Sequence, residues 1–369
     1  MDNFVVKNLG PIAKADVTFG DLTILTGPQA SGKTLFLETF KLVKDDFAIT
    51  DFYIHNAGGS VTDFLDYYYG DNMHTILKKD TLFVFNEDNI NLLSKIDNAI
   101  NALNKDHSEY MILANQIFSN MRYIPAQRSL ALSEGRIKTS DDFVNSPYVL
   151  VKFCNYLQLY VKLHPTAMLK EVVQNYDFLK NAEINMRRTA GSLRLEMTVD
   201  KQTIPYMAWS TGQREFTPLL MALDFFELKN TIEYIIIEEP ELGLHPRAII
   251  EFMFTVLKLM KKGVKVVIST HSSTPLDFVW AMNRLKHKGV KSFAALAEMF
   301  DFKIKDKDFF DGLFEKEVKV YYFAPDPKTR KVHSKDISSL DVESEDEDVS
   351  NWGGMSLSAD RAGSIVSKF

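Results

Sequence analysis

At 369 residues and 46% apolar content, the chain has ample core for one large domain and an added lobe. A net charge of −6 argues against a dedicated nucleic-acid binder that relies on bulk electrostatics, while leaving nucleic acid possible as a partner through a local basic patch. A single cysteine (Cys154), no signal peptide and no apolar run of spanning length predict a soluble, cytoplasmic protein without a membrane partner.

In chain order, Val17 and Phe19, then Leu22 to Leu25, read as strands separated by a Gly20-Asp21 turn. The second strand runs into Gly27-Pro28-Gln29-Ala30-Ser31-Gly32-Lys33-Thr34, which fits G-x-x-x-x-G-K-[ST] without mismatch, and Lys33 to Phe40 opens a helix. Strand, glycine loop and helix form the context in which backbone N–H groups and a helix N-terminus cradle phosphate oxygens. The motif predicts ATP held by residues 27–34, with Lys33 on the β- and γ-phosphates and the Thr34 hydroxyl on Mg²⁺.

The interval of roughly residues 46–190 shows no sustained heptads. It carries mixed helical stretches, Asn86–Ile117 and Pro147–Val161 among them, and an aromatic patch, Phe64-Leu65-Asp66-Tyr67-Tyr68-Tyr69. The patch reads as the packing face of a helical insertion rather than a ligand box.

Leu193, Leu195, Met197 and Val199 alternate with Arg194, Glu196 and Thr198 along a predicted strand. Beyond it, Ser210-Thr211-Gly212-Gln213 precedes Phe216, Leu219, Leu220, Leu223 and Phe226 at helical spacing, so Ser210 is an N-cap candidate. The same helix N-terminus can bind the γ-phosphate of ATP held by a second subunit, with Gly212 permitting close backbone approach; both roles share one geometry. Single-subunit P-loop enzymes have no use for this S-x-G-Q element.

Tyr234-Ile235-Ile236-Ile237 ends in Glu238-Glu239-Pro240-Glu241, a buried parallel strand with carboxylates at its C-terminal edge, where open α/β sheets place ligands. Glu238 is predicted to hold Mg²⁺ and Glu239 to act as general base, its pKa tuned by burial. Alone, the same residues also suit a helix N-terminus with its first-turn proline. A further apolar run from Val264 ends in Thr270-His271-Ser272-Ser273, where the His271 imidazole can donate to the γ-phosphate. His245, in Leu242-Gly243-Leu244-His245-Pro246, is expected in a loop that packs across a dimer interface.

Val318–Phe323 and Lys331–His333 read as a hairpin around Asp326-Pro327 that closes the ATPase sheet. Asp341, Glu343, Glu345, Asp346, Glu347 and Asp348 then put six carboxylates into eight positions, a solvated tail or else a docking strip for a basic groove. Arg284, Lys286, Lys288 and Lys291 are the cations that could line such a groove.

Together, GPQASGKT, STGQ, IIIEEPELGLHP and ISTHSS resemble the ATP-binding cassette ATPases of the non-transporter branch. They look most like the overcoming-lysogenization-defect (OLD) type ATPases and their relatives in the Septu, PARIS and retron phage-defence systems, with SMC proteins as more distant cousins. The resemblance covers residues 1–45 and about 120–275. It implies a head-to-tail homodimer with two ATP molecules at its interface, and a role for Gln127 as the loop glutamine that contacts Mg²⁺. OLD-type nucleases append a Toprim domain after the switch histidine; here 98 residues follow His271, without a convincing acidic triad on strands.

The expected fold is therefore α/β: a P-loop NTPase of ABC-ATPase type, with a mainly parallel sheet plus an antiparallel subdomain and a helical insertion. Residues 1–45 and 120–335 form the split core, 46–119 plus roughly 130–190 the insertion lobe, and 336–369 an acidic, flexible tail. The expected function is an ATP-hydrolysing sensor that forms a homodimer or higher homo-oligomer through composite ATP sites and controls a separate effector, an HNH or Toprim nuclease encoded nearby, in prokaryotic phage defence. The site set is Glu239 and His271 for catalysis; Gly27, Gln29, Ala30, Ser31, Gly32, Lys33, Thr34, Ser210, Gly212 and Gln213 for ATP; and Thr34, Glu238 and Gln127 for Mg²⁺. A DNA-binding repair ATPase and a self-contained nuclease remain open as alternatives.

Overall fold

The computed structural model describes residues 1–45, 47–56, 59–105, 120–139, 142–143, 146–163, 169, 172–189, 192–227, 232–289, 294–301 and 312–355. The chain divides into two compact units: Met1–Phe36, Asp80–Asn89 and His245–Phe369 form the first, Leu37–Lys79 and Ile90–Leu244 the second.

In the first unit, neighbouring strands run in the order Asp88–Ile90, Leu77–Phe85, Asn3–Leu9, Ile12–Thr18, Val332–Asp336, Val318–Pro325, Leu22–Thr26, Lys265–Thr270. Leu22–Thr26 is buried at all five positions, because it has parallel neighbours on both sides, Val318–Pro325 and Lys265–Thr270. The C-terminal hairpin predicted around Asp326 is present. The Asp326 carboxylate accepts the backbone N–H groups of Lys328 and Thr329 and turns Val318–Pro325 back on Val332–Asp336. This hairpin lies between Ile12–Thr18 and Leu22–Thr26, so those two strands are not neighbours despite the short link between them.

The helix expected over Asn86–Ile117 begins only at Leu92 and is described to Lys105; residues 106–117 lie outside the described residues. Residues 77–90 instead form a strand pair turned by Asn86 and Glu87, both at positive φ (49° and 76°). Phe83 stacks on Phe4 at 6.4 Å, and the amide of Asn8 donates to Asp80 at 3.1 Å. The interval after the P-loop is thus not wholly helical.

The acidic segment is packed as far as residue 355. Trp352 is 7% exposed, and its indole N–H donates to the Leu340 carbonyl at 3.1 Å. Asp341 pairs with Arg284 at 3.2 Å, while Lys335 bridges Asp346 and Asp348 at 2.6 and 2.7 Å. The solvated tail expected from 336 is therefore a docked strap over this stretch, and Arg284 is one of its anchors. Lys291 lies outside the described residues.

In the second unit, Met121–Ile124 and Tyr234–Glu238 pair in parallel. Glu183–Thr189, Ser192–Val199 and Gln202–Pro205 form an antiparallel three-stranded sheet, with Leu195 and Met197 buried as their alternation predicts, Val199 half-buried and Leu193 of the same face exposed. Helices Phe47–Asn56, Val61–Tyr69, Leu92–Lys105, Tyr148–Leu163 and Thr211–Glu227 belong to this unit. The aromatic patch is core: Phe64, Leu65, Tyr68 and Tyr69 are buried, and Tyr68 stacks on Tyr148 at 5.5 Å. The α/β architecture, parallel strands beside an antiparallel subdomain, is the predicted one.

Candidate functional site

The P-loop lies in the first unit and has the conformation its glycines require. A Cβ on Gly27 (φ 145°) would lie 2.8 Å from the Phe323 carbonyl oxygen, and one on Gly32 (φ 86°) 2.9 Å from Ile12. Ala30 also takes a positive φ, 60°. Pro28, Gln29 and Ala30 are exposed, whereas Ser31 is buried. The Lys33 ammonium donates to the carbonyls of Gly27 (2.9 Å) and Pro28 (3.0 Å) and to the Ser31 hydroxyl (3.2 Å), leaving the residue 6% exposed. The lysine is thereby held over its own loop by oxygens of residues 27, 28 and 31. Thr34 is exposed at the start of helix Lys33–Lys44.

His271 belongs to the same unit. Lys265–Thr270 pairs with Leu22–Thr26 in the register Thr270 to Thr26, so Gly27 and His271 leave adjacent parallel strands at one edge. His271 is half-buried. The turn after it is fixed by the Thr270 hydroxyl, which accepts the Ser272 N–H at 3.0 Å, and by the Ser272 hydroxyl, which accepts the Thr274 N–H at 3.2 Å. His245 caps helix Pro246–Lys261, its Nδ1 accepting the Arg247 N–H at 3.2 Å.

The second unit gathers the acidic and signature residues. Ile237 pairs with Ile124, so Glu238 and Pro125 leave adjacent parallel strands at one edge. Glu238 is 3% exposed; Glu239 is half-buried, with φ at 41°. Burial, and then the charge of Glu238, push the carboxyl of buried Glu38 well above its ordinary range. Burial followed by the same charges raises the phenol of Tyr123. Glu238, Glu38 and Glu215 are thus buried carboxyl groups of this unit, and the predicted base Glu239 is more accessible than any of them.

Ser210 caps helix Thr211–Glu227 as expected. Its hydroxyl accepts the Gln213 N–H at 3.2 Å, and the Gln213 side chain accepts the Ser210 N–H at 2.9 Å, a reciprocal capping box. Ser210 is exposed at this N-terminus. A Cβ on Gly212 would lie 2.5 Å from the Gly243 carbonyl oxygen, so this glycine is required by the backbone that follows the glutamates. Gln127 is exposed at the start of the short 3₁₀ helix Arg128–Ala131.

Arg128, next to Gln127, belongs to none of the sequence motifs and carries no predicted role. Its guanidinium is fully buried and donates to four carbonyls: Glu238 (2.7 Å), Glu239 (3.0 Å), Glu215 (3.0 Å) and Pro125 (3.1 Å). The Ser129 N–H donates to the Glu215 carboxylate at 3.0 Å, and the Ser129 hydroxyl donates to its other oxygen. Glu38 was missed as well, although it stands four residues after Thr34 on one helix. Burial of an arginine or a glutamate leaves no signal in composition or spacing.

The chain matches the family described as "AAA domain, putative AbiEii toxin, Type IV TA system" over residues 68–277, more than half its length. No curated protein matches it. Solved structures similar to it include the SMC head domain from Thermotoga maritima, at 12% identity and TM-score 0.36, covering 74% of this chain and 90% of that one. An SMC head bound to the C-terminal winged-helix domain of ScpA matches at 12% identity and TM-score 0.45, covering 90% and 97%. The ABC transporter component cbiO1 from Clostridium perfringens matches at 12% and 0.37, over all of both chains. A membrane-crossing helix is not found among the described residues. With an intact P-loop ahead of the matched region, the chain belongs to this AAA-domain family.

Proposed function

We propose that this protein binds and hydrolyses ATP as a head-to-tail homodimer of OLD-like type, and that the closed dimer controls a separate effector, a nuclease of HNH or Toprim class, in phage defence. The observation that carries the reading is the second unit's cluster, in which one buried arginine ties the Glu238-Glu239 turn to the helix that begins at Ser210. That connection suits a machine in which an anion at the helix N-terminus must be felt by the hydrolytic carboxylates. The family's association with a toxin of a two-component system also favours a switch that works with a second polypeptide.

In this reading the loop 27–34 wraps the phosphates of ATP, and Lys33 exchanges its loop carbonyls for phosphate oxygens. Thr34, Glu238 and Gln127 offer a hydroxyl, a carboxylate and an amide, an all-oxygen donor set that fits Mg²⁺, which when bound offsets charge on the β- and γ-phosphates. Glu239 accepts a proton from the attacking water, and His271 donates to a γ-phosphate oxygen. Ser210, Gly212 and Gln213 of the second subunit present backbone N–H groups to the same γ-phosphate.

The test is to express the protein alone and with its gene neighbour, then assay cell viability, ATP turnover and cleavage of DNA and tRNA. Turnover by the protein alone, with damage only when the neighbour is present, is expected. Nucleolysis by the purified protein alone, lost on mutating carboxylates away from Glu238 and Glu239, replaces this reading with a self-contained nuclease.

A further inference from the structure

We propose that Arg128 is a positioning residue for hydrolysis, linked through Ser129 and Glu215 to the helix that begins at Ser210 and fixing the direction of Glu239. This deepens the proposed function and rests on its assignment of Glu239 as the general base.

The acceptors of Arg128 come from three segments: Pro125 after one strand, Glu238 and Glu239 at the C-terminal end of the parallel neighbour, and Glu215 in the helix. Only a planar fork with five fixed donors spans them; a lysine ammonium can satisfy part of the set from one point. Glu239 sits at φ 41°, a left-handed conformation unfavourable for a residue with a side chain. Its carbonyl oxygen is the one that Arg128 holds at 3.0 Å, so this bond helps to set the backbone from which the Glu239 carboxylate projects.

The second arm runs to the helix. Glu215 lies one turn beyond Thr211, and its carboxylate takes both the N–H and the hydroxyl of Ser129. Arg128 also holds the Glu215 carbonyl, so residues 128 and 129 grip one helical residue by its main chain and its side chain. A rotation or shift of this helix turn, whose first residues form the capping box at Ser210, is passed to the Glu239 carbonyl through a single side chain. Charge balance alone accounts for a cation among Glu215, Glu238, Glu239 and Glu241. It does not account for four directed bonds to carbonyls.

The experiment compares Arg128→Lys, Ser129→Ala, Ser129→Thr and Glu239→Gln by single-turnover hydrolysis at saturating ATP, by affinity for a fluorescent ATP analogue, and by thermal midpoint. Arg128→Lys keeps the charge and loses the fork, while Ser129→Ala cuts the hydroxyl arm. Both are expected to slow the chemical step by about tenfold or more, as a small misplacement of a reacting group does, with nucleotide affinity held within about twofold. Ser129→Thr is expected to restore the rate lost in Ser129→Ala. Unchanged rates in Arg128→Lys and Ser129→Ala beside an inactive Glu239→Gln overturn this inference alone. Parallel loss of rate, affinity and thermal midpoint in both variants also overturns it, in favour of a merely structural arginine. Parental hydrolysis by Glu239→Gln overturns the base assignment, and this inference with it.

Discussion

A glutamine at position 239 keeps the size and hydrogen bonds of the carboxylate and cannot accept a proton. Glu239→Gln is therefore expected to slow hydrolysis by about 10²–10⁴-fold while nucleotide stays bound, as measured by turnover beside retention of labelled ATP. Lys33→Ala is expected to weaken binding itself, because the ammonium that now bonds the carbonyls of Gly27 and Pro28 is, in the proposed reading, the group that a phosphate recruits. Equal nucleotide affinity in Lys33→Ala and the parent would remove Lys33 from the site. Glu38 gives a prediction of a different kind. Its folded pKa is raised by burial and by Glu238, so the folded state binds its proton more tightly than the unfolded chain does. Stability from this group is present below the unfolded carboxylate value and is lost as pH rises toward the folded one. Glu38→Gln mimics the protonated form; in EDTA without nucleotide, its advantage over the parent in thermal midpoint should widen from pH 4.5 upward. A constant difference across pH 4.5–8 would show that Glu38 does not titrate in this window.

At the scale of elements, the docked acidic strap shows where sequence reading stopped. Six carboxylates in eight positions look solvated, and several of them are; what docks the segment is one tryptophan, with Lys335 just before the segment and Arg284 distant in sequence. The exposed pairs of Lys335 with Asp346 and Asp348 are of the kind that contributes little, so burial of Trp352 decides the docking. Trp352→Ala is expected to cost about 3 kcal/mol, in the range for truncating a buried aromatic, and to expose residues 337–351 to protease at concentrations that leave the parent intact. The P-loop, the strand before it, the N-cap at Ser210 and the strand ending at Glu238 were all legible, because each is set by local chemistry: positive-φ glycines, a hydroxyl cap, a continuous apolar run. The edge hairpin at residues 77–90 was not, because its exposed strand lacks the alternation of a half-buried one and its turn is built by Asn86 and Glu87 without glycine. Arg128 was illegible for a related reason. Its role comes from three segments meeting around it, and no window of sequence contains them.

At the scale of the molecule, the sequence predicts that one subunit cannot complete hydrolysis. Ser210 stands exposed at a capped helix N-terminus, a geometry ready to bind an anion from outside the subunit. Ser210→Arg places a bulky side chain there and is expected to abolish turnover while leaving ATP on the P-loop. Lys33→Ala is expected to abolish turnover through the opposite half of the proposed composite site. Mixed, the two inactive proteins re-form dimers at random. A heterodimer then holds one site with both defects and one with neither, because intact loop 27–34 of one chain faces intact Ser210 of the other. With half the dimers mixed and one site in each restored, the mixture is expected to recover about a quarter of the parental rate, since the interface is made of the same two faces in every pairing. Dilution adds an independent check: specific activity should fall as the dimer dissociates, with the midpoint moving lower when ATP is saturating, because ligand bound only by the closed state stabilises that state. A mixture no more active than its components, together with activity constant on dilution to the monomer, would require all the chemistry to occur within one chain and would leave Ser210 as a helix cap alone.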